Sequence, residues 1–198
     1  MIIKLFAPII ISSLLFAACC NCGKINNTGS VIPEELQKKA DSFVISKTGE
    51  EFFTKYIKAD YDKTTQIKDG YLMVYSFSIP EREGINGEIR FSIDSLGNVQ
   101  TNKEVVGIPD CLSTPGNCDF NISGDEVKNI ARQAGLEEGI KDWEVDFVWS
   151  NDHKKYFWQI RATTSETKGT EFYRGSGKFM LIDPNNGTVI ETKDWRVN

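Results

Sequence analysis

The stretch 121–139, NISGDEVKNIARQAGLEEG, constrains the fold of this chain more than any other. Ser123 is placed to cap a helix. Glu126, three residues on, can return its carboxylate to the Ser123 N–H and complete a capping box. Ile122 before the cap and Val127 beyond it are spaced as a hydrophobic staple. Val127, Ile130, Ala131 and Ala134 then share one face at i, i+3, i+4 and i+7. Gly135 supplies a left-handed stop, and Leu136 can fold back over the last turn. The pattern predicts an amphipathic helix of about three turns, whose apolar face needs a sheet to cover it.

Strand patterns lie on both sides of it. Tyr71, Met73, Tyr75, Phe77 and Ile79 alternate with Leu72, Val74, Ser76 and Ser78, and Pro80 ends the run. Ile89, Phe91 and Ile93 alternate with Glu88, Arg90, Ser92 and Asp94, before a turn at 95–98 and a short strand from Val99. Downstream, Trp143, Val145, Phe147 and Trp149 mark one strand face. After the turn NDHKK, Tyr156, Trp158, Ile160 and Ala162 mark the next. A polar loop over 163–177 leads to KFMLID, a turn at DPNNG, and TVIET. Near the start, Pro33, the acids Glu34 and Glu35, the stripe Leu36, Ala40, Phe43 and Val44, and a stop at Gly49 predict an opening helix. The stretch 51–62 fits a helix or a strand and is read as a strand.

Both halves thus run from a helix into a meander. Their closing hairpins also match, EIRFSIDSLGNVQTNKEV against GKFMLIDPNNGTVIETKDW, each with Ile-Asp, a Gly-containing turn and a Val-centred strand. The expectation is an α+β fold of two tandem units, each a helix packed on a three- or four-stranded antiparallel meander sheet. The expected boundaries are a signal peptide at 1–18, a flexible tether at 19–32, a first unit at 33–105, a linker at 106–121 and a second unit at 122–198. A fragment beginning near Asn121 carries its own capped helix and strands, and is expected to fold alone.

The N-terminus, MIIKLFAPIIISSLLFAA, has one early cation, an apolar run too short to span a bilayer comfortably, and small residues before Cys19. Phe16-Ala17-Ala18-Cys19 resembles the lipobox of bacterial lipoproteins, in which the cysteine is acylated and becomes the mature first residue. Phe16 stands where Leu is usual, and a plain secretory signal is the other reading. Each buried methylene contributes about 0.8 kcal/mol, so a multiply acylated Cys19 would hold where a single chain would not. The resemblance implies a place in the bacterial cell envelope, with the membrane as partner through the lipid anchor.

The second half resembles a PepSY-like unit over about 122–195. The residues that carry the likeness are Val127, Ile130, Ala131, Gly135, Trp143-Glu-Val145, the run from Tyr156 to Ile160, Ile182-Asp183, Gly187 and Val189. The first half shares only the order of elements and the closing Ile93-Asp94 and Gly97-Asn98-Val99. The resemblance implies a binding or protease-regulating module, with a protein or peptide partner and no catalytic residues to carry over. The loop 163–176 departs from the compact version of that unit.

Composition and motifs narrow the chemistry. With 40% hydrophobic and 26% charged residues the chain is suited to folding. Once the first 18 residues are removed, 22 basic residues face 28 acidic ones, and no long basic run invites nucleic acid. Five cysteines are present: Cys19, then Cys20 and Cys22 in the tether, then Cys111 and Cys118. In an exported chain the last two favour a disulfide; a metal site is the rival, without a nearby histidine or second cysteine pair. The single histidine, His153, sits in the turn NDHKK, where a solvated role is the plain reading. RGSGKF lacks the upstream Gly of a phosphate loop, and DPNNG lacks the ligand spacing of a calcium loop. Of the four tryptophans, three follow the strand alternation of a core, and a sugar-stacking platform is the other reading. No catalytic, metal or cofactor site is assigned. The binding residues expected are Phe172, Tyr173 and Arg174 at the end of loop 163–176, unless Phe172 simply turns inward at the start of a strand. Function is read as a lipid-anchored binding or protease-regulating, inhibitory module; the alternative is an envelope hydrolase with an unrecognised site.

Overall fold

The computed structural model describes residues 24–25, 31–114, 116–170 and 172–197. Its first elements are β1 (Lys24–Ile25) and β2 (Val31–Ile32), paired antiparallel. Ile32 is 1% exposed, which corrects the tether expected over 19–32: its last residue belongs to the core. An isoleucine directly ahead of a helix has more to gain from burial than from solvation.

Pro33 opens α1 (Glu34–Thr48), with Glu34 and Glu35 in the first turn, and Gly49 ends it at φ 82° with its N–H on the Ile45 carbonyl. Leu36, Ala40 and Val44 are buried, as their spacing predicts. Gln37 reaches Asp41 (2.6 Å) and the Tyr75 hydroxyl (3.0 Å), which donates to Asp41 (2.8 Å). Burial pushes the Tyr75 phenol well above its usual range, so it remains a donor that pins α1 to the sheet.

The strand expected over 51–62 is corrected to α2 (Glu50–Tyr56) followed by β3 (Ile57–Ala59). Two acids suit its first turn and Lys55 its last. Phe52 and Tyr56, four residues apart, stack edge-on at 5.1 Å, a contact that only the helical spacing allows.

The first sheet adds β4 (Thr65–Ile67), β5 (Gly70–Ser78) and β6 (Asn86–Asp94). β5 is central: β6 runs along one side, while β3 and β4 share the other, at 75–77 and 70–72 respectively. Tyr71, Met73, Tyr75 and Phe77 are buried toward the helices, as their alternation predicts. The strand expected from Val99 is reduced to a single bridge with Ile93.

The second sheet follows α3 (Gly124–Gln133). Its strands are β7 (Glu144–Ser150), β8 (Lys155–Lys168), β9 (Tyr173–Ile182) and β10 (Val189–Val197), in the order β10-β9-β8-β7. The Ser123–Glu126 capping box is formed in both directions. The stop is formed as well: Gly135 has φ 82°, and the Leu136 N–H bonds the Ala131 carbonyl. Val127 and Ala131 are fully buried, in the same core cluster as Trp158, Ile160 and Ala162. The architecture is therefore α+β, with three helices and two four-stranded antiparallel sheets among the described residues.

An aromatic seam joins the two sheets. Phe77 of β5 meets Tyr156 of β8 at 5.1 Å, Tyr156 stacks on Phe147 at 5.0 Å, and Phe147 meets Phe120 at 5.5 Å. The Tyr156 hydroxyl donates to the Glu88 carbonyl at 3.2 Å, in a space that side chains at Gly87 or Gly107 would fill. Such ring pairs add roughly 0.5–1.5 kcal/mol each beyond their burial. One continuous core runs from Ile32 to Ile182 and includes residues of both halves. Large aromatic residues on both sides were legible as core, but not as each other's partners.

Candidate functional site

The residues expected to form a loop over 163–176 form most of a long hairpin. β8 and β9 pair from Trp158–Ile182 out to Lys168–Tyr173, with one bulge between Thr163 and Ser165. This corrects the loop reading, and the reason is physical. The outer hairpin meets water on both faces, so its threonine-rich sequence suits a strand while showing no apolar alternation. Beside the bulge, the Ala162 carbonyl accepts a bond from the Trp195 indole N–H at 3.1 Å. That oxygen sits where a β-carbon on Gly177 would be, so only glycine fits.

The last two rungs, Thr167–Arg174 and Lys168–Tyr173, lie beyond the final β10 pair at Gly175. A tight turn closes them, with the Gly169 N–H on the Phe172 carbonyl at 2.9 Å. Phe172 is 53% exposed and Tyr173 37%, so Phe172 does not turn into the core. The Arg174 guanidinium lies 5.5 Å from the Phe172 ring. Below the tip, Glu166 is held under the usual carboxylate range by Lys168 first (2.9 Å) and then by Lys141 (3.7 Å). The structure thus brings Phe172, Tyr173 and Arg174 together at an exposed tip, braced by paired charges.

Cys111 and Cys118 form a disulfide, with Cα atoms 5.2 Å apart. The closed loop sits on the end of α1, where the Cys111 and Leu112 N–H groups bond the Lys47 carbonyl. Cys19, Cys20 and Cys22 lie outside the described residues, as does the signal peptide expected at 1–18. No group of three or more His, Cys, Asp and Glu among the described residues is arranged to hold a metal ion. His153 is exposed, its ring against Phe157 at 5.3 Å. In DPNNG, Asp183 accepts from the Asn185 N–H at 2.8 Å, and the Lys155 ammonium reaches its other oxygen at 2.8 Å. Trp158 is core, Trp143 and Trp149 pack at its edge, and Trp195 lies outside it on the far face of the sheet.

A second feature was not legible in the sequence: a cleft of about 430 Å³ where α1, the connector after β6 and the β7–β8 turn meet. Phe43, Val105, Ile108 and Trp149 give it apolar walls, and Lys47, Lys103 and Lys154 stand around it with Glu104 and Asp110. The Trp149 indole N–H donates to Asn151 (2.9 Å), whose amide donates to Glu104 (3.1 Å). Asp110 accepts from the Ser113 N–H at 3.1 Å. Ser113, followed by the Lys47 charge, keeps its carboxyl below the usual range. These residues come from three segments of the chain, 43–47, 101–110 and 149–154, so no local motif announces them. The clues available in the sequence were the lysines of TNKEV, which read as part of a closing hairpin, and of NDHKK, which read as a turn.

Comparison of the chain with protein-family models, with curated proteins and with solved structures finds no match in any of the three.

Proposed function

We propose that this chain is a lipid-anchored binding or protease-regulating module of the bacterial envelope that acts by holding a protein or peptide rather than by catalysis. In this reading Cys19 carries the anchor and the chain contains two tandem helix-on-sheet units, the second PepSY-like. The β8–β9 tip presents Phe172, Tyr173 and Arg174 to the partner. The observation that carries the reading is the exposure of adjacent large side chains at the end of a braced hairpin. Tyr and Arg are residue types that dominate binding energy at interfaces, and aromatic residues supply contact area at little entropic cost. A rigid hairpin also loses less freedom on binding than a loop would.

The test places a photo-crosslinking residue at Phe172 in the full chain in its native membrane, then repeats capture with Phe172, Tyr173 and Arg174 changed to Ala. The expected result is one dominant captured partner, whose purified form binds the parent chain at least about tenfold more tightly than the triple variant, with both melting curves alike. Undiminished affinity in the triple variant excludes the tip as the site. A chain with Cys19→Ala should leave the membrane fraction or remain unprocessed, and normal acylation of that variant would remove the anchor from the proposal.

A further inference from the structure

The cleft lies at the other end of the second sheet from the β8–β9 turn and is independent of the tip: its walls come from α1, the connector and the β7–β8 turn. Its volume falls within the range of small-molecule sites. The apolar walls are held by packing within the chain. Phe43 is fixed against Phe91 at 4.9 Å, and Trp149 is held edge-on to Tyr156 at 5.0 Å while its N–H is bonded to Asn151.

The charges are arranged unequally. Both carboxylates already have partners, Glu104 in Asn151 and Asp110 in Ser113. None of the three lysines makes an ion pair among the described residues, although twelve other lysines and arginines of this chain do. On a chain of net charge −5, this is a local excess of cation beside an apolar wall. Lys154 adds a second sign. It holds φ +50°, a left-handed backbone that glycine adopts freely and lysine does not. Strain of this kind at a cleft is an established pointer to function.

We infer that the cleft binds a small amphipathic monocarboxylate, its apolar body on Phe43 and Trp149 and its carboxylate among Lys47, Lys103 and Lys154. A single negative charge fits better than a phosphate dianion for two reasons. Three ammonium groups against two carboxylates leave a surplus of one positive charge. The site also borders the C-terminal end of α1, whose negative dipole end opposes each anionic charge and so disfavours a dianion more than a monoanion. Two sources share the chemistry: the free carboxyl end of an apolar peptide, and a fatty acid.

The experiment titrates the full chain, solubilised from membranes, with three probes: acetyl-Ala-Leu-Phe with a free carboxyl end, the same peptide as its amide, and decanoate. The expected result is that at least one carboxylate probe binds, with the free peptide at least tenfold tighter than its amide if a peptide end is the ligand. Binding should weaken as salt rises and should fall at least tenfold when Lys47, Lys103 and Lys154 are all changed to Gln. Should that variant fold poorly, the exposed Lys103→Gln alone, with an unchanged melting curve, should lower affinity about threefold. Decanoate binding with the same lysine dependence, without peptide binding, identifies the lipid source. Binding of neither carboxylate, equal binding of acid and amide without decanoate binding, or lysine-independent binding overturns the inference. Changing Phe172, Tyr173 and Arg174 to Ala should leave these titrations unaltered, so the tip and the cleft stand or fall separately.

Discussion

The two Ile-Asp turns are built alike and loaded differently. In the first, the Asp94 carboxylate accepts the Leu96 and Asn98 N–H groups at 2.9 and 2.8 Å, and the Gly97 N–H returns to the Asp94 carbonyl at 3.0 Å. In the second, the Asp183 carboxylate accepts the Asn185 N–H at 2.8 Å, and the Gly187 N–H returns to the Asp183 carbonyl at 2.9 Å. Gly97 and Gly187 both take left-handed angles, φ 83° and 75°. The surroundings then diverge. Asp94 closes its own turn and meets water. Asp183 is 7% exposed and paired with Lys155, and its neighbour Asn185 reaches out to the Phe120 N–H (2.8 Å) and the Asn117 carbonyl (3.2 Å). The second turn therefore anchors the disulfide-closed connector and holds Phe120 at φ 43°, a strained angle for so bulky a residue. Like turn chemistry fixes local geometry; the tertiary contacts set how much depends on it.

That contrast makes its largest prediction at Asp183. Asp183→Ala leaves the Lys155 ammonium with its side chain only 24% exposed and without its partner, and it loosens Asn185. Removing one member of a largely buried pair costs about 3 kcal/mol. Asp94→Ala should cost clearly less, because water replaces the carboxylate. Urea midpoints at unchanged m-value measure both, and equal losses would break the comparison.

The disulfide supplies the next effect. Opening the eight-residue Cys111–Cys118 loop should cost about 2.5 kcal/mol on chain-entropy grounds, which at about 2–4 °C per kcal/mol lowers the melting temperature by roughly 5–10 °C. The contrast sharpens in double-mutant cycles. Asn185→Ala should couple to loss of the disulfide by at least about 0.5 kcal/mol, since the Asn185 side chain holds the connector on both sides of Cys118. Asn98→Ala should be additive with it. Coupling at Asn98 would mean that the first turn also senses the connector, by a route the contacts do not show.

Much of this architecture was legible, and the reasons are local. The α3 cap and stop are written in Ser123, Glu126 and Gly135, and the buried faces of β5 and β8 follow from strict alternation. What escaped was set by tertiary context. α2 read as a strand because Phe53, Ile57 and Tyr61 fit two periods, and only packing of Phe52 on Tyr56 selects one. The outer β8–β9 hairpin has no apolar face to alternate. Ile32 follows a polar stretch and yet is core. The disulfide was readable as the expected pairing of Cys111 with Cys118, whereas Phe172 to Arg174 fitted either an exposed loop end or the inward start of a strand. The cleft was not readable, because Phe43, Lys103 and Trp149 lie far apart in the chain and meet only through tertiary packing.

The smallest effect belongs to the first turn and is read in acid. Hydrogen bonds from Asn98, first through its side-chain amide and then through its backbone N–H, with help from the Leu96 and Gly97 N–H groups, hold the Asp94 carboxyl below its usual value. A carboxylate with a depressed native pKa contributes stability that is complete above its unfolded pKa, about 3.9. That contribution shrinks as pH falls below this value and is gone once pH passes below the native pKa. The difference in urea midpoint between the parent chain and Asp94→Ala should therefore be constant from about pH 5 to 7 and close steadily between about pH 4 and 2. A difference that stayed constant to pH 2 would assign the role of Asp94 to something other than its charge. The backbone bonds at Gly97 and Asn98 are not a substitute explanation, because alanine keeps both of them. The measurement thus distinguishes a turn closed by an ionised side chain from one closed by its main chain alone.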